Sequence, residues 1–219
     1  MLTRVLLSLA LATGLLPAPA RACETALILA IDVSNSIDSG EYRIQAEGMA
    51  DALLDPLVME ALVRGRVALM VVQWSGVGDQ VVSVPWRRMT SDADVGAVAA
   101  EARAMRRAIT LSNTAVGDLV RFARAQFADV PDCARRVIDI SGDGDDNAGT
   151  RPEAERLFAE RQGITINALA IESLGLSITN YYRQRVITRD GFVMTSRGHS
   201  TYAETLKEKI RREVAQVMF

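Results

Sequence analysis

Short uninterrupted apolar runs alternate with amphipathic stretches along this chain, and that alternation predicts strands and helices in turn. Residues 25 to 31, Thr-Ala-Leu-Ile-Leu-Ala-Ile, end in Asp32 and have the continuous hydrophobicity of a strand buried on both faces. Asp38 and Glu41 stand three apart in a capping arrangement. Ile44, Met49, Leu53 and Leu57 follow at helical intervals, predicting one helix to about residue 62 in spite of Pro56. Residues 66 to 74 read as a second strand, and Ser75-Gly76-Val77-Gly78-Asp79 turns the chain into a third, Gln80 to Trp86, as a hairpin. Helices are predicted at about 92 to 107 and 114 to 128, the second with Val116, Leu119, Val120, Ala123 and Phe127 at helical spacing.

Arg136 to Ser141 is a fourth strand, followed by an acidic loop, a helix at 152 to 162 and a fifth strand, Ile164 to Ile171. A helix at 178 to 187, a strand at 191 to 195 and an amphipathic helix from about 200 to 217 complete the order. Alternation on this scale predicts a doubly wound α/β domain. Its six-stranded sheet is expected to be mostly parallel, with one antiparallel edge strand and helices on both faces.

The first 22 residues stand outside this pattern. Arg4 precedes an apolar stretch, Val5 to Leu16, and then come Pro17, Pro19 and Ala20-Arg21-Ala22, as in a cleaved export signal. The apolar stretch is about 12 residues long, where a membrane span needs roughly 20. The expected mature chain, residues 23 to 219, is therefore one soluble domain in the periplasm or outside the cell, without a transmembrane segment. Losing Arg4 and Arg21 from 25 basic residues leaves 23 against 27 acidic ones, a formal charge of −4 that argues against nucleic acid as a partner. The two cysteines, Cys23 and Cys133, would meet conditions that permit a disulfide. Lipid attachment at Cys23, next to the cleavage site, is the rival use, although Arg21 makes a poor lipoprotein signal.

In open α/β sheets ligands gather beyond the carboxyl ends of the strands, and two of the most polar loops fall there. Asp32-Val33-Ser34-Asn35-Ser36 places a carboxylate and two hydroxyls on alternate residues after strand one. Ser141-Gly142-Asp143-Gly144-Asp145-Asp146-Asn147 follows strand four, with glycines that allow a sharp turn. The polar side chains of both loops offer oxygen, which suits Mg²⁺, with Mn²⁺ and Ca²⁺ as alternatives, better than Zn²⁺, which normally recruits His or Cys.

This pattern resembles the von Willebrand factor A (vWA) family and its metal-ion-dependent adhesion site (MIDAS), marked by Asp-x-Ser-x-Ser with a distant Thr and Asp. Asp32, Ser34 and Ser36 match the motif, Thr114 stands where the family's threonine precedes a helix, and Asp143-Gly144 matches the carboxylate that ends strand four. The resemblance spans residues 24 to 217. It is narrower to an uncharacterised family of exported bacterial vWA-like proteins, through Ser-Gly-Asp-Gly and Asn180-Tyr181-Tyr182. The usual Thr-Asp-Gly is here Ser141-Gly142-Asp143-Gly144, one residue longer.

The resemblance implies a metal held by Asp32, Ser34, Ser36, Thr114 and Asp143, with one position open for an acidic group of an unidentified partner. It implies adhesion or scaffolding and no enzyme activity. It also makes strands one and four parallel neighbours, which would bring Cys23 and Cys133 together as a disulfide at the far end of the sheet from the metal.

Other readings of the same residues are weaker. An EF-hand counted from Asp143 would need Gly where Ala148 stands and Glu where Ala154 stands. The glycines of the acidic loop lack the last glycine of a dinucleotide fingerprint, and there is no nucleophile elbow for a serine hydrolase. A magnesium phosphohydrolase usually has a second aspartate where Ser34 stands and a nearby lysine, yet Lys207 and Lys209 both lie in the last helix. A vWA domain that has lost its metal is the remaining alternative. His199 reads as a capping or surface residue. Asp139 reads as buried structure ahead of support for the metal, and Trp74 and Trp86 as core packing ahead of a recognition surface.

Overall fold

A computed structural model describes residues 23–172 and 174–215. The expected leader, residues 1 to 22, lies outside them, as does the last turn of the predicted closing helix. The apolar runs form β1 (Cys23–Asp32), β2 (Ala68–Trp74), β3 (Gln80–Arg88), β4 (Cys133–Gly142), β5 (Ile164–Ile171) and β6 (Val193–Ser196). They pair in the order β3-β2-β1-β4-β5-β6, all parallel except β3, which runs antiparallel to β2 at one edge. Pro85, which has no N–H to give a ladder, sits in that edge strand.

The helices are α1 (Ser39–Leu53), α2 (Pro56–Arg64), α3 (Asp92–Ala104), α4 (Val116–Gln126), α5 (Pro152–Arg161), α6 (Ser177–Tyr181) and α7 (Tyr202–Ala215). Alternate strand residues feed two cores. Leu27, Leu29, Ile31, Leu69 and Leu169 pack with Met49, Leu53, Val98, Leu206 and Ile210 of α1, α3 and α7. Ala26, Ile28, Met70, Ile138 and Ile166 pack with Leu119, Val120 and Ala159 of α4 and α5 on the other face. A strand covered on both sides must be apolar at consecutive positions, which is why β1 reads as an unbroken run.

Two helices differ from the sequence expectation. The single helix through Pro56 is two, because Asp55 caps a new one: its Oδ1 accepts from Leu57 N (3.0 Å) and Val58 N (3.2 Å), with Pro56 in the first turn. Proline has no N–H to continue α1 but suits a helix start. The predicted helix 178 to 187 is α6 followed by a π-helical turn, Tyr182–Val186, closed by Ile187 N donating to Tyr182 O (3.1 Å).

Cys23 and Cys133 are register partners at the amino ends of β1 and β4 and form a disulfide, with Cα atoms 4.5 Å apart. Trp74 is fully buried, and Trp86 is half-buried against Phe127 with its Nε1 donating to Gln126 O (3.0 Å). At the opposite end from the disulfide, the winding reverses between β1 and β4: β1 leads outward to β2, while β4 leads the other way to β5. The loops after β1 and β4 therefore open onto one crevice.

Candidate metal centre

Asp32 is the last residue of β1 and is completely buried. Its Oδ1 accepts from Ser34 N at 2.7 Å, and this short side-chain-to-backbone bond bends the chain out of the strand. The bend brings Ser34 Oγ to 3.1 Å from Ser36 Oγ, and Ser36 Oγ donates to Asp143 Oδ1 at 2.6 Å. Ser34, Ser36 and Asp143 thus form one run of oxygen atoms across the β1–β4 crevice, and Asp32 joins it through the backbone N–H of Ser34. Thr114, also buried, stands beside it: a β-carbon at Gly144 would lie 3.8 Å from Thr114 Oγ1.

Neighbouring residues fix these loops. Arg107 donates to the carbonyls of Val33 and Ser34, both at 2.8 Å, and Asn35 N donates to Ser112 O (3.1 Å). Asn147 Oδ1 accepts from Thr114 N (3.0 Å) while Asn147 N donates to Thr114 O (2.9 Å), so the acidic loop grips the threonine loop at both ends of one residue. Asp146 Oδ1 accepts from Val116 N (2.8 Å) and so caps α4. The helix boundaries matter here, because α3 stops at Ala104 and α4 starts at Val116, leaving Arg107 and Thr114 in the connecting loop. Arg107, Asp146 and Asn147 carry no motif that would have singled them out in the sequence. The register of β4 also clarifies its glycines. Ile31 pairs with Ser141, and Gly142 is the strand's final residue, so Asp143 is the first residue beyond it.

Burial pushes the Asp32 carboxyl up to about 7. Its hydrogen bonds from Ser34 pull the value back, the Asp143 charge raises it further, and Arg107 opposes that rise. Burial also raises Asp143, against the Ser36 hydrogen bond and the influence of His199. His199 is not free surface: its Nδ1 lies 3.2 Å from Glu41 Oε1, beside the capping box of α1. Asp32 Oδ2 is buried with no hydrogen-bond partner. A buried carboxylate oxygen left this way is costly unless something positive or a donor meets it.

The donors gathered here are two carboxylates and three hydroxyls, a hard oxygen set suited to a divalent cation of the magnesium or calcium type. Among the described residues no group of three or more His, Cys, Asp or Glu side chains is placed to hold a metal, so an ion at this site would depend on the hydroxyls. The lysines lie elsewhere. Lys207 pairs with Glu204 (2.5 Å), and Lys209 is buried 2.5 Å from Asp139 and 2.7 Å from Glu213. Asp139 is thus part of the seam between β4 and α7.

Residues 22–218 match a family described as "Protein of unknown function (DUF1194)". No curated protein matches. Among solved structures, proximal thread matrix protein 1 from the mussel byssus, described with a zinc-occupied MIDAS motif, has a TM-score of 0.67 at 19% identity, covering 88% of this chain and 48% of that one. A von Willebrand factor type A protein from Catenulispora acidiphila has a TM-score of 0.58 at 19% identity, covering 88% and 43%. The pilus adhesin SpaC from Lactobacillus rhamnosus GG, in its open conformation, has a TM-score of 0.59 at 12% identity, covering 89% and 30%. The chain spans less than half the length of each, and the likeness is one of fold: a vWA domain.

Proposed function

This chain belongs to the DUF1194 family of proteins of unknown function, and from that premise we propose that it is an exported domain that grips an acidic group of another protein through a divalent cation. The observation that carries this reading is the run of oxygen atoms from Ser34 through Ser36 to Asp143, tied by the Ser34 backbone N–H to the buried Asp32 carboxylate, whose other oxygen is unpartnered. Asp32, Ser34, Ser36, Thr114 and Asp143 would hold the ion. A bound divalent cation supplies a positive centre with a coordination position that a partner's carboxylate can occupy.

The chain's own part is to hold those oxygens still. Arg107 clamps the β1 loop, and Asn147 fixes Thr114. Magnesium is the proposed ion, with manganese and calcium as alternatives, and the mussel protein adds zinc to the series worth testing. The function is binding without bond chemistry, supported by lysines that lie away from the site and by solved relatives of the fold that are described as a matrix protein and a pilus adhesin. The mature domain is proposed to be residues 23 to 219, released to the periplasm or beyond after removal of residues 1 to 22. The disulfide supports that location, as does the finding that no helix among the described residues is long and apolar enough to cross a membrane.

Titration calorimetry with Mg²⁺, Mn²⁺, Ca²⁺ and Zn²⁺ tests the metal. The wild type should bind and Asp32→Ala should not, and equal behaviour of the two would sink the assignment. Capture of partners from periplasmic extract with and without EDTA tests the binding role: an EDTA-sensitive partner supports it, while phosphatase turnover in magnesium contradicts it.

A further inference from the structure

The glycine before Asp143 and the paired tyrosines 181 and 182 take no part in the proposed ligand set. The structure joins them. Tyr182 is completely buried, and its hydroxyl has no hydrogen-bond partner. The buried Asp32 Oδ2 lacks a partner as well. Both atoms front the same small space above Gly142: a β-carbon there would lie 2.5 Å from Tyr182 Oη, 3.1 Å from Asp32 Oδ2 and 3.4 Å from Trp74 Cζ2. Any other residue at 142 would need the tyrosine hydroxyl to move.

We infer that Tyr182 is a positioning residue of the metal site, its hydroxyl taking the space left open by Gly142 and orienting the Asp32 carboxylate. The inference rests on the metal-binding reading above. The chemistry is complementary. At neutral pH a tyrosine hydroxyl keeps its proton and can donate. Asp32 Oδ2 is an acceptor. With its ring held in the core, the phenol meets it through one water molecule, and that contact restricts the carboxylate that would meet the ion. A group that orients a metal ligand in this way typically changes metal affinity ten- to a hundredfold when removed.

The chain delivers Tyr182 by a local irregularity. After α6 the backbone widens into the π-helical turn Tyr182–Val186, and such turns recur at functional sites. Tyr181 packs edge-on against Tyr182 with ring centroids 5.4 Å apart, and the Tyr182 ring belongs to the core on the α4 and α5 face. Its ring is thereby fixed while only the hydroxyl looks into the crevice. Gly142 and Tyr182 form a matched pair, the missing side chain of one admitting the polar tip of the other.

The test is a double-mutant cycle on the protein purified with its disulfide intact. Wild type, Tyr182→Phe, Gly142→Ala and the double variant are titrated with Mn²⁺ alone, and each is melted in EDTA. Tyr182→Phe should weaken Mn²⁺ binding ten- to a hundredfold while its melting temperature in EDTA moves by no more than a few degrees, the scale of one hydrogen bond. Gly142→Ala should lose both affinity and stability, and in the Tyr182→Phe background the alanine should cost much less of each.

Tyr182→Phe binding Mn²⁺ as the wild type does, with Asp32→Ala not binding, would overturn the inference and leave the metal reading standing. A melting loss in EDTA with no change in affinity would overturn it too, assigning Tyr182 to packing alone. No Mn²⁺ binding by the wild type would overturn both.

Discussion

Replacing Lys209 by methionine should cost the fold about 3–5 kcal/mol at pH 8 and far less at pH 5. Lys209, Asp139 and Glu213 are all essentially inaccessible, with the ammonium 2.5 Å from Asp139 Oδ1 and 2.7 Å from Glu213 Oε1. Asn167 Nδ2 donates to Glu213 Oε1 (2.8 Å), Arg135 donates to the Glu213 carbonyl (2.9 Å), and the Phe192 ring lies 5.5 Å from Lys209 Nζ. One cation thus serves two buried acids. Asp139 is pushed up to about 7, chiefly by burial and then by the Glu213 charge, with Lys209 opposing.

The folded chain holds this proton more tightly than the unfolded chain, where the group titrates near 3.8. The fold therefore loses stability as pH rises from about 4 through about 7. Without the ammonium, two buried carboxylates face each other at pH 8 with nothing between them. At pH 5 protons take over part of its role, leaving mainly the lost hydrogen bonds, about 1–2 kcal/mol.

Urea unfolding followed by circular dichroism at the two pH values reads this directly. With a slope of about 2 kcal/mol/M, the midpoint should fall by roughly 2 M at pH 8 and by less than about 1 M at pH 5. Equal drops would refute the electrostatic argument and assign the loss to packing of the lysine stem.

Two further outcomes follow from local features. Reduction, or the pair Cys23→Ser and Cys133→Ser, opens a link between residues 110 apart in sequence. It should cost up to about 4–5 kcal/mol by the loop-closure argument, measured by denaturant unfolding with and without reductant. No change on reduction would mean that the bond does not constrain the unfolded chain. Asp38→Ala removes the capping box of α1, in which Asp38 accepts from Glu41 N (2.8 Å) and Glu41 accepts from Asp38 N (2.9 Å). A loss of about 1 kcal/mol, or a melting point a few degrees lower, is expected, and a several-fold larger loss would show that the residue does more than cap a helix.

The order of elements could be read from the sequence because burial on both faces leaves an unmistakable mark. β1 and β2 carry continuous apolar runs, Ala26 to Ile31 and Ala68 to Val72, and the Asp38–Glu41 pair announces the start of α1 by local hydrogen bonding alone. The oxygen ligands of the proposed site were readable for a related reason: Asp32, Ser34 and Ser36 are spaced within one loop, where spacing already implies proximity. Their partners Thr114 and Asp143 needed the family pattern, since nothing local ties residue 36 to residue 143.

Tertiary structure alone decided the rest. Lys209 and Glu213 look like one polar strip on an amphipathic helix, and only the packing of α7 over β4 and β5 buries them with Asp139 and Asn167. Arg107 looks like one arginine among many until the early end of α3 turns it onto the β1 loop. Gly142 and Tyr182 are 40 residues apart in sequence, and no periodicity links a strand's last glycine to a π-helical turn. Sequence patterns record what a residue's own element requires, and close approach between distant elements leaves no period behind. The five oxygen-bearing residues could therefore be named from the chain, while the groups that hold them in place became visible only once the sheet had brought their loops together.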